Sequence, residues 1–188
     1  YGTETLVISC TTSYTRGDGV LVTSNYTSCS QADGANPNFT ITFETGAVAI
    51  TARHVTVTVD NASATYGDPS AAWSANATGK HFTVSGLQMD DTAAALTGLT
   101  CTTGYTQGDG ISAGDKTNCT GTSTNPNYVI DTITKGSVSI AKKAITVTAT
   151  GDTYVYGEAV HGDQGYSVTD AYGTETLVIS CTTSYTRG

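Results

Sequence analysis

Charge is what this chain has least of. Only 13% of its 188 residues are charged, with 8 Lys and Arg against 16 Asp and Glu and a formal net charge of −8. Binding to phosphate backbones needs clustered Lys and Arg, so nucleic acid is excluded as a partner. Adhesion to anionic lipid by charge alone fails for the same reason. No apolar run approaches the ~20 residues that span a bilayer, so no membrane span is expected in this stretch. CxxC, HxH and HExxH spacings are all missing. That removes the usual zinc and dithiol redox patterns, and the histidines His54, His81 and His161 occupy unrelated places. No Ser, Cys or carboxylate pair recurs with a base and an orienting third group, so an enzyme is not expected.

There is one Met and one Trp, and the space is filled by Thr, Ser, Gly and Tyr. Such residues suit half-buried pleated surface and turns far better than helix, and the expected class is all-β.

Self-similarity organises the chain. YGTETLVISCTTSYTRG at 1–17 returns unchanged at 172–188, positions 171 residues apart. A weaker repeat lies inside that period. CTTSYTRGDG at 10–19 returns as CTTGYTQGDG at 101–110, NPNFTITFETGAVAI at 36–50 as NPNYVIDTITKGSVSI at 125–140, and VTVTVDNASATYGDP at 55–69 as ITVTATGDTYVYGEA at 145–159. The blocks keep their order and nearly their spacing, so one module is present in two versions, A and B, as expected of a tandem array. Residues 52–141 read as a complete module B, 1–51 as the C-terminal part of a module A, and 142–188 as the N-terminal part of the next module A. The stretches 51–53 and 141–143 read as short linkers, too short for free tumbling, so the modules should form a rod.

Each module has its cysteines in the same place. Cys10 and Cys29 enclose 18 residues and Cys101 and Cys119 enclose 17, and one disulfide per module is the simplest reading. Each is worth roughly 3 kcal/mol for a loop of this length. Cys181 is the copy of Cys10, and its partner is expected beyond Gly188 or in a neighbouring chain. Disulfides in small β modules point to an oxidising space, extracellular or at the cell surface. The sequons at Asn25, Asn38, Asn61, Asn76 and Asn118 are candidate N-glycosylation sites in surface loops, though several arise by chance in a chain this rich in Asn, Thr and Ser.

Within module B, Val55, Val57 and Val59 alternate with polar residues as an opening strand with one face inward. Tyr66-Gly67-Asp68 and its copy Tyr156-Gly157-Glu158 read as turns in which Gly permits positive φ and the acid bonds backbone amides. Phe82–Val84 reads as a strand, and 90–99 holds the one helix-like turn. Gly108-Asp109-Gly110, like Gly17-Asp18-Gly19, reads as a turn inside the disulfide loop. Residues 127–133 and 138–140 are expected to finish the module as a hairpin about Lys135-Gly136. Short strands at regular spacing with Gly, Asn and Asp turns make a small sandwich of about 80–90 residues.

The block V-T-V with Y-G-D-P, then N-P-N-Y/F-x-I and G-x-V-x-I, resembles the bacterial MBG family of extracellular immunoglobulin-like repeats. The matching residues are Val55–Val57, Tyr66–Pro69, Asn125–Ile130 and Gly136–Ile140, with Val147, Tyr156–Glu158, Asn36–Ile41 and Gly46–Ile50 in the sister module. The resemblance covers essentially the whole chain. It implies immunoglobulin-like β-sandwich modules in tandem within secreted or surface-displayed, often adhesin-like, proteins without catalytic residues. The disulfide in each module and Glu158-Ala159 in place of Asp-Pro depart from the family pattern.

Other constellations are weaker. Arg16-Gly17-Asp18 spells an integrin-type tripeptide, but the sister module keeps Gly-Asp-Gly while replacing the arginine with Gln107, so the retained part is what a turn needs. The acids of these turns lack the density of a dedicated calcium loop. No cofactor is expected beyond weak calcium at the loops or module junctions. Tyr66 and Tyr156, and Tyr14 and Tyr105, recur at equivalent places, which fits a core or corner role better than sugar stacking. The five lysines are not placed equivalently, which argues against isopeptide crosslinks. The expected function is a structural repeat of an extracellular stalk or filament whose partners are neighbouring copies of itself. The alternatives are an adhesin module that binds a glycan or a host protein receptor, and a subunit polymerising by end-to-end strand complementation.

Overall fold

The computed structural model describes residues 5–75, 80–160 and 165–185. It is nearly all β, with one 3-10 turn at Ala93–Ala95 among these residues, capped by the Thr92 hydroxyl. In chain order the strands are β1 (Ser9–Thr12), β2 (Tyr26–Ser30), β3 (Gly46–Ala47), β4 (Arg53–Val59), β5 (Ala62–Thr65), β6 (Ala72–Trp73) and β7 (Phe82–Ser85). They continue with β8 (Leu99–Thr102), β9 (Asn118–Gly121), β10 (Tyr128–Thr134), β11 (Val138–Ala141), β12 (Thr146–Ala149) and β13 (Tyr166–Thr169).

The chain divides into two compact units, one of Tyr1–Val59, Asn76–Cys101 and Cys119–Thr134, the other of Asp60–Ala75, Thr102–Asn118 and Lys135–Gly188. Residues 52–141 contribute strands to both.

In the first unit the alternating valines form the opening strand β4, flanked by β7 on one side and β10 on the other. Val55, Val57 and Val59 lie at 2%, 0% and 2% exposure, and Phe82, Leu96 and Tyr128 of the same unit are buried too. The antiparallel pair β4–β7 sets Val57 opposite Val84, while β10 runs parallel to β4 and sets Ile133 opposite Val57. One residue of β10, Asp131, is skipped in that register. It is the extra residue that NPNYVIDTITKG carries over NPNFTITFETG, so an insertion between the two versions of the module is absorbed as a β-bulge, where one added residue does least harm to the ladder. The disulfide hairpin β1–β2 sets Cys10 directly opposite Cys29 and is extended by β3.

The second unit holds the sheets β11–β5–β6 and β12–β13. Ala62, Ala64 and Ala71 make a small core against Trp73, Tyr105 and Val138, and Thr117, fully buried, donates its hydroxyl to the Asp60 carbonyl at 2.6 Å. The cysteines of the strand pair β8–β9, both in the first unit, join as Cys101–Cys119. Both disulfides therefore close within their own module and Cys181 is free.

The expected closing hairpin is corrected. β10 and β11 do not pair with each other; β10 lies parallel to β4 and β11 parallel to β5. After Lys135-Gly136 the chain joins a different sheet, where its next donors have partners. The Ser137 amide and hydroxyl both reach Asn61 Oδ1 (2.9 and 3.2 Å), and the Ala62 amide bonds the Ser137 carbonyl. The opening strand likewise breaks at Asp60–Asn61, between β4 and β5.

Leu96 sits at 1% exposure. Leu96→Ala is expected to cost about 2–5 kcal/mol in urea denaturation. Replacing Cys101 and Cys119 together by Ser is expected to cost about 3 kcal/mol.

Candidate functional site

One four-residue turn occurs four times and supplies the acids singled out in the sequence. In Thr15–Asp18, Thr65–Asp68, Thr106–Asp109 and Val155–Glu158 the final carboxylate accepts from the backbone N–H of the first residue at 2.8, 2.7, 2.6 and 2.9 Å. The final amide in turn bonds the first carbonyl. The third residue is Gly with φ of +107°, +84°, +97° and +84° in chain order, a region closed to most side chains. These carboxylates are spent on their own turns. Asp18 accepts also from the Thr15 hydroxyl and from Asn25 Nδ2, so the acid of the Arg-Gly-Asp tripeptide is already held three times within its own loop. No group of three or more His, Cys, Asp or Glu suited to a metal ion is present among the described residues.

The sister loops differ at one position with a clear electrostatic consequence. Asn25 and Asp115 are equivalent, each four residues before the second cysteine. The Thr15 backbone amide, and then the Asn25 side-chain amide, hold the Asp18 carboxyl below its ordinary range. In module B the partner is a second carboxylate. Desolvation, and then the charge of Asp109, push Asp115 up, and one of its oxygens is shielded from water without a hydrogen-bond partner.

Each unit carries a groove lined by residues from both sides of one of the short stretches 51–53 and 141–143. In the first unit, Arg16, Asp18, Arg53, Met89, Asp91 and Tyr128 line a groove of about 340 Å³. Asn127, at the entry to β10, locks it: its Oδ1 accepts the Val20 amide at 2.8 Å, and its carbonyl accepts the Arg53 amide at 2.8 Å. A side chain at position 19 would collide with that Asn127 amide group, which explains the glycine there. Tyr128, at 6% exposure, donates to Asp91 at 2.5 Å and receives the Gln88 amide at 3.2 Å. Burial first, and the Asp91 bond second, raise its hydroxyl pKa.

In the second unit a groove of about 360 Å³ is lined by Tyr66, Ile111, Lys143, Ile145, Tyr172 and Glu175, among others. Tyr66 donates to Glu175 Oε1 at 2.6 Å and meets Tyr172 edge-on with centroids 5.5 Å apart. That hydrogen bond is the main cause of the raised Tyr66 pKa. Gly67 lies directly under the Tyr172 ring, where a Cβ would come within 2.5 Å. The turn is steadied from below by Tyr105, which donates to the Asp68 carbonyl at 2.9 Å, and by Gln107, which donates to that of Gly67 at 2.9 Å. The copy repeats the bond: Tyr185, stacked on Tyr154, donates to the Glu158 carbonyl at 3.2 Å. Of the recurring tyrosines, Tyr66 and Tyr105 are thus junction and corner residues, whereas Tyr156 is fully exposed and Tyr14 stands at 44% exposure. The two grooves are equivalent, with Val20, Arg53 and Val55 answering to Ile111, Lys143 and Ile145.

The other singled-out residues are dispersed. His54 meets Asp131 at 2.5 Å on an exposed edge; His161 and Asn76 lie outside the described residues. Of the sequon asparagines, Asn25 bonds Asp18, Asn61 bonds Ser137, Asn118 is half-buried within β9 and Asn38 is exposed. The grooves were missed in the sequence because Asn127 stands there only as part of the N-P-N-Y/F-x-I block, and Tyr172 and Glu175 only as part of the repeated 17 residues, none of which names their partners. Only the repeat offset, applied residue by residue, could have found them. No known protein family, curated protein or solved structure matches the chain.

Asp115→Asn restores the donor that Asn25 provides in the sister loop. It is expected to raise the thermal midpoint at pH 7. A carboxyl whose folded pKa is raised weakens the fold as pH rises through that value. The advantage of Asp115→Asn over the parent should therefore shrink as pH is lowered toward the ordinary aspartate value of 3.8, as scanning calorimetry at several pH values will show.

Proposed function

We propose that the chain is a structural repeat of an extracellular stalk or filament, built from tandem immunoglobulin-like modules of the MBG kind. The observation that carries this reading is that each compact unit is assembled across a module junction. Val20 is bound to Asn127 over 107 residues of sequence, and Tyr66 to Glu175 over 109. A junction held by a fitted side-chain amide, or by an aromatic pair with a charge-assisted hydrogen bond, restricts the hinge that a bare linker would allow. Near-identical copies favour the same reading, since a spacer gains from repetition where a specific site does not. The two disulfides support an oxidising environment.

Chains of one, two and three 171-residue repeats, compared by small-angle X-ray scattering, test the reading. The maximum dimension is expected to grow by a constant increment per repeat. Growth that flattens toward the square root of repeat number, as for flexibly linked beads, would sink it. Tyr66→Ala combined with Glu175→Ala should move the profile toward that flexible limit.

A further inference from the structure

The outer face of the sheet β10–β4–β7 carries a regular grid of hydroxyls. Val55, Val57, Val59 and Phe82 are buried on the inner face, and alternation puts Thr56, Thr58, Thr83 and Ser85 on the other. Across the three strands Thr56 stands opposite Ser85 on one side and Thr132 on the other, and Thr58 stands opposite Thr83 and Thr134. Because Asp131 is skipped in the register, Thr132 and Thr134 keep the outward parity of the rest. All six positions, in two rungs of three, therefore hold Thr or Ser. Five of them are exposed and Thr56 is half-buried. None is charged, and the face borders on charge only where the His54–Asp131 pair closes one end.

The sister module repeats the grid. β12 and β13 set Thr146 opposite Thr169 and Thr148 opposite Ser167, the places of Thr56 opposite Ser85 and Thr58 opposite Thr83. Ser85 answers to Thr169 and Thr83 to Ser167, so the two versions share a hydroxyl at each point and not a particular residue. In the third column Thr42 answers to Thr132, while Glu44 stands in the place of Thr134. A strand face open to water ordinarily carries Lys and Glu among its polar residues. In a chain with a net charge of −8, charge is kept off this grid.

We propose that this face binds ice. An ordered lattice of water is the partner that matches a neutral, two-dimensional array of hydroxyls. The β-branch of Thr restricts its χ1, so each hydroxyl is held in place with a methyl group beside it. A charged side chain would instead hold its own hydration shell against the lattice. The grid repeats at about 4.8 Å across the strands and about 6.7 Å along them, near the two oxygen repeats on a prism face of ice, so over two rungs the misfit stays below the diameter of a water molecule. Sheet twist limits how far such a match extends, and six side chains make a small face. Tandem repetition offers the face again in each module, and engagement of several at once raises the total affinity without any new contact. Crystalline polysaccharide is also neutral and rich in hydroxyls, but pyranose rings are held by flat aromatic faces, and no aromatic side chain stands in the grid.

The test is ice recrystallisation in frozen sucrose solution holding the full 188-residue chain, with crystal growth followed by microscopy. The parent chain is expected to slow coarsening. Thr58→Lys and, separately, Thr132→Lys place a charge inside the grid at exposed positions, and each should raise the concentration needed by at least about tenfold. Leu21→Lys adds the same charge at a site 77% exposed and outside the sheet, and should leave the effect unchanged. Circular dichroism of each variant checks that the fold is kept. Coarsening as fast with the parent chain as without it would overturn the proposal, as would equal activity of the parent and both folded grid variants, or an equal loss in Leu21→Lys. Retention of the parent on crystalline cellulose with no effect on ice would overturn it in favour of a polysaccharide. None of these bears on the stalk reading, which fails through the scattering increment instead.

Discussion

Everything in this fold depends on the first strand of a module lying parallel to its last. β4 and β10, and then β5 and β11, meet only after some 70 residues of intervening chain, so a module has no finished core until its closing strand arrives. Antiparallel neighbours can be supplied locally by β7 and by the disulfide hairpins, but the parallel one cannot. Where the closing strand is present, three valines, a phenylalanine and a leucine are sealed to within 3% exposure. The equivalents of two of those valines and of the phenylalanine, Ile145, Val147 and Tyr166, stand at 38%, 40% and 39%.

That constraint explains why the compact units are centred on junctions. The loop carrying the Gly-Asp-Gly turn of one module projects onto the start of the next, and the residue that receives it, Asn127, is the one that leads into the closing strand. Closing a module and docking it to its predecessor are therefore coupled through one residue, whose main-chain carbonyl accepts the Arg53 amide at the start of β4 while its side-chain oxygen accepts the Val20 amide. The acidic turns are the rigid corners on which these contacts rest.

Much of this was legible in the sequence. Val55, Val57 and Val59 announced a strand by their alternation, the cysteine spacing announced two intramodular disulfides, and Gly at the third place of each turn announced positive φ. The direction of the last two strands was not legible. Period-2 alternation tells which face of a strand is buried and is silent on its neighbour, and Lys135-Gly136 looks as much like a hairpin turn as like a passage into another sheet. Nor did composition reveal that Asp131 is a bulge, although the one-residue difference between the repeat blocks records it. The junction contacts use Asn, Glu and Tyr in roles set by distance in space, which no local pattern encodes.

Hydrogen exchange at the two equivalent opening strands would test this account most directly. In the lone 188-residue chain at low concentration, the account predicts that amides of 55–59 exchange far more slowly than those of 145–149, because β4 is covered on both edges and β12 on one. Equal protection of the two segments would contradict it, for it would mean that a module is stable without its closing strand.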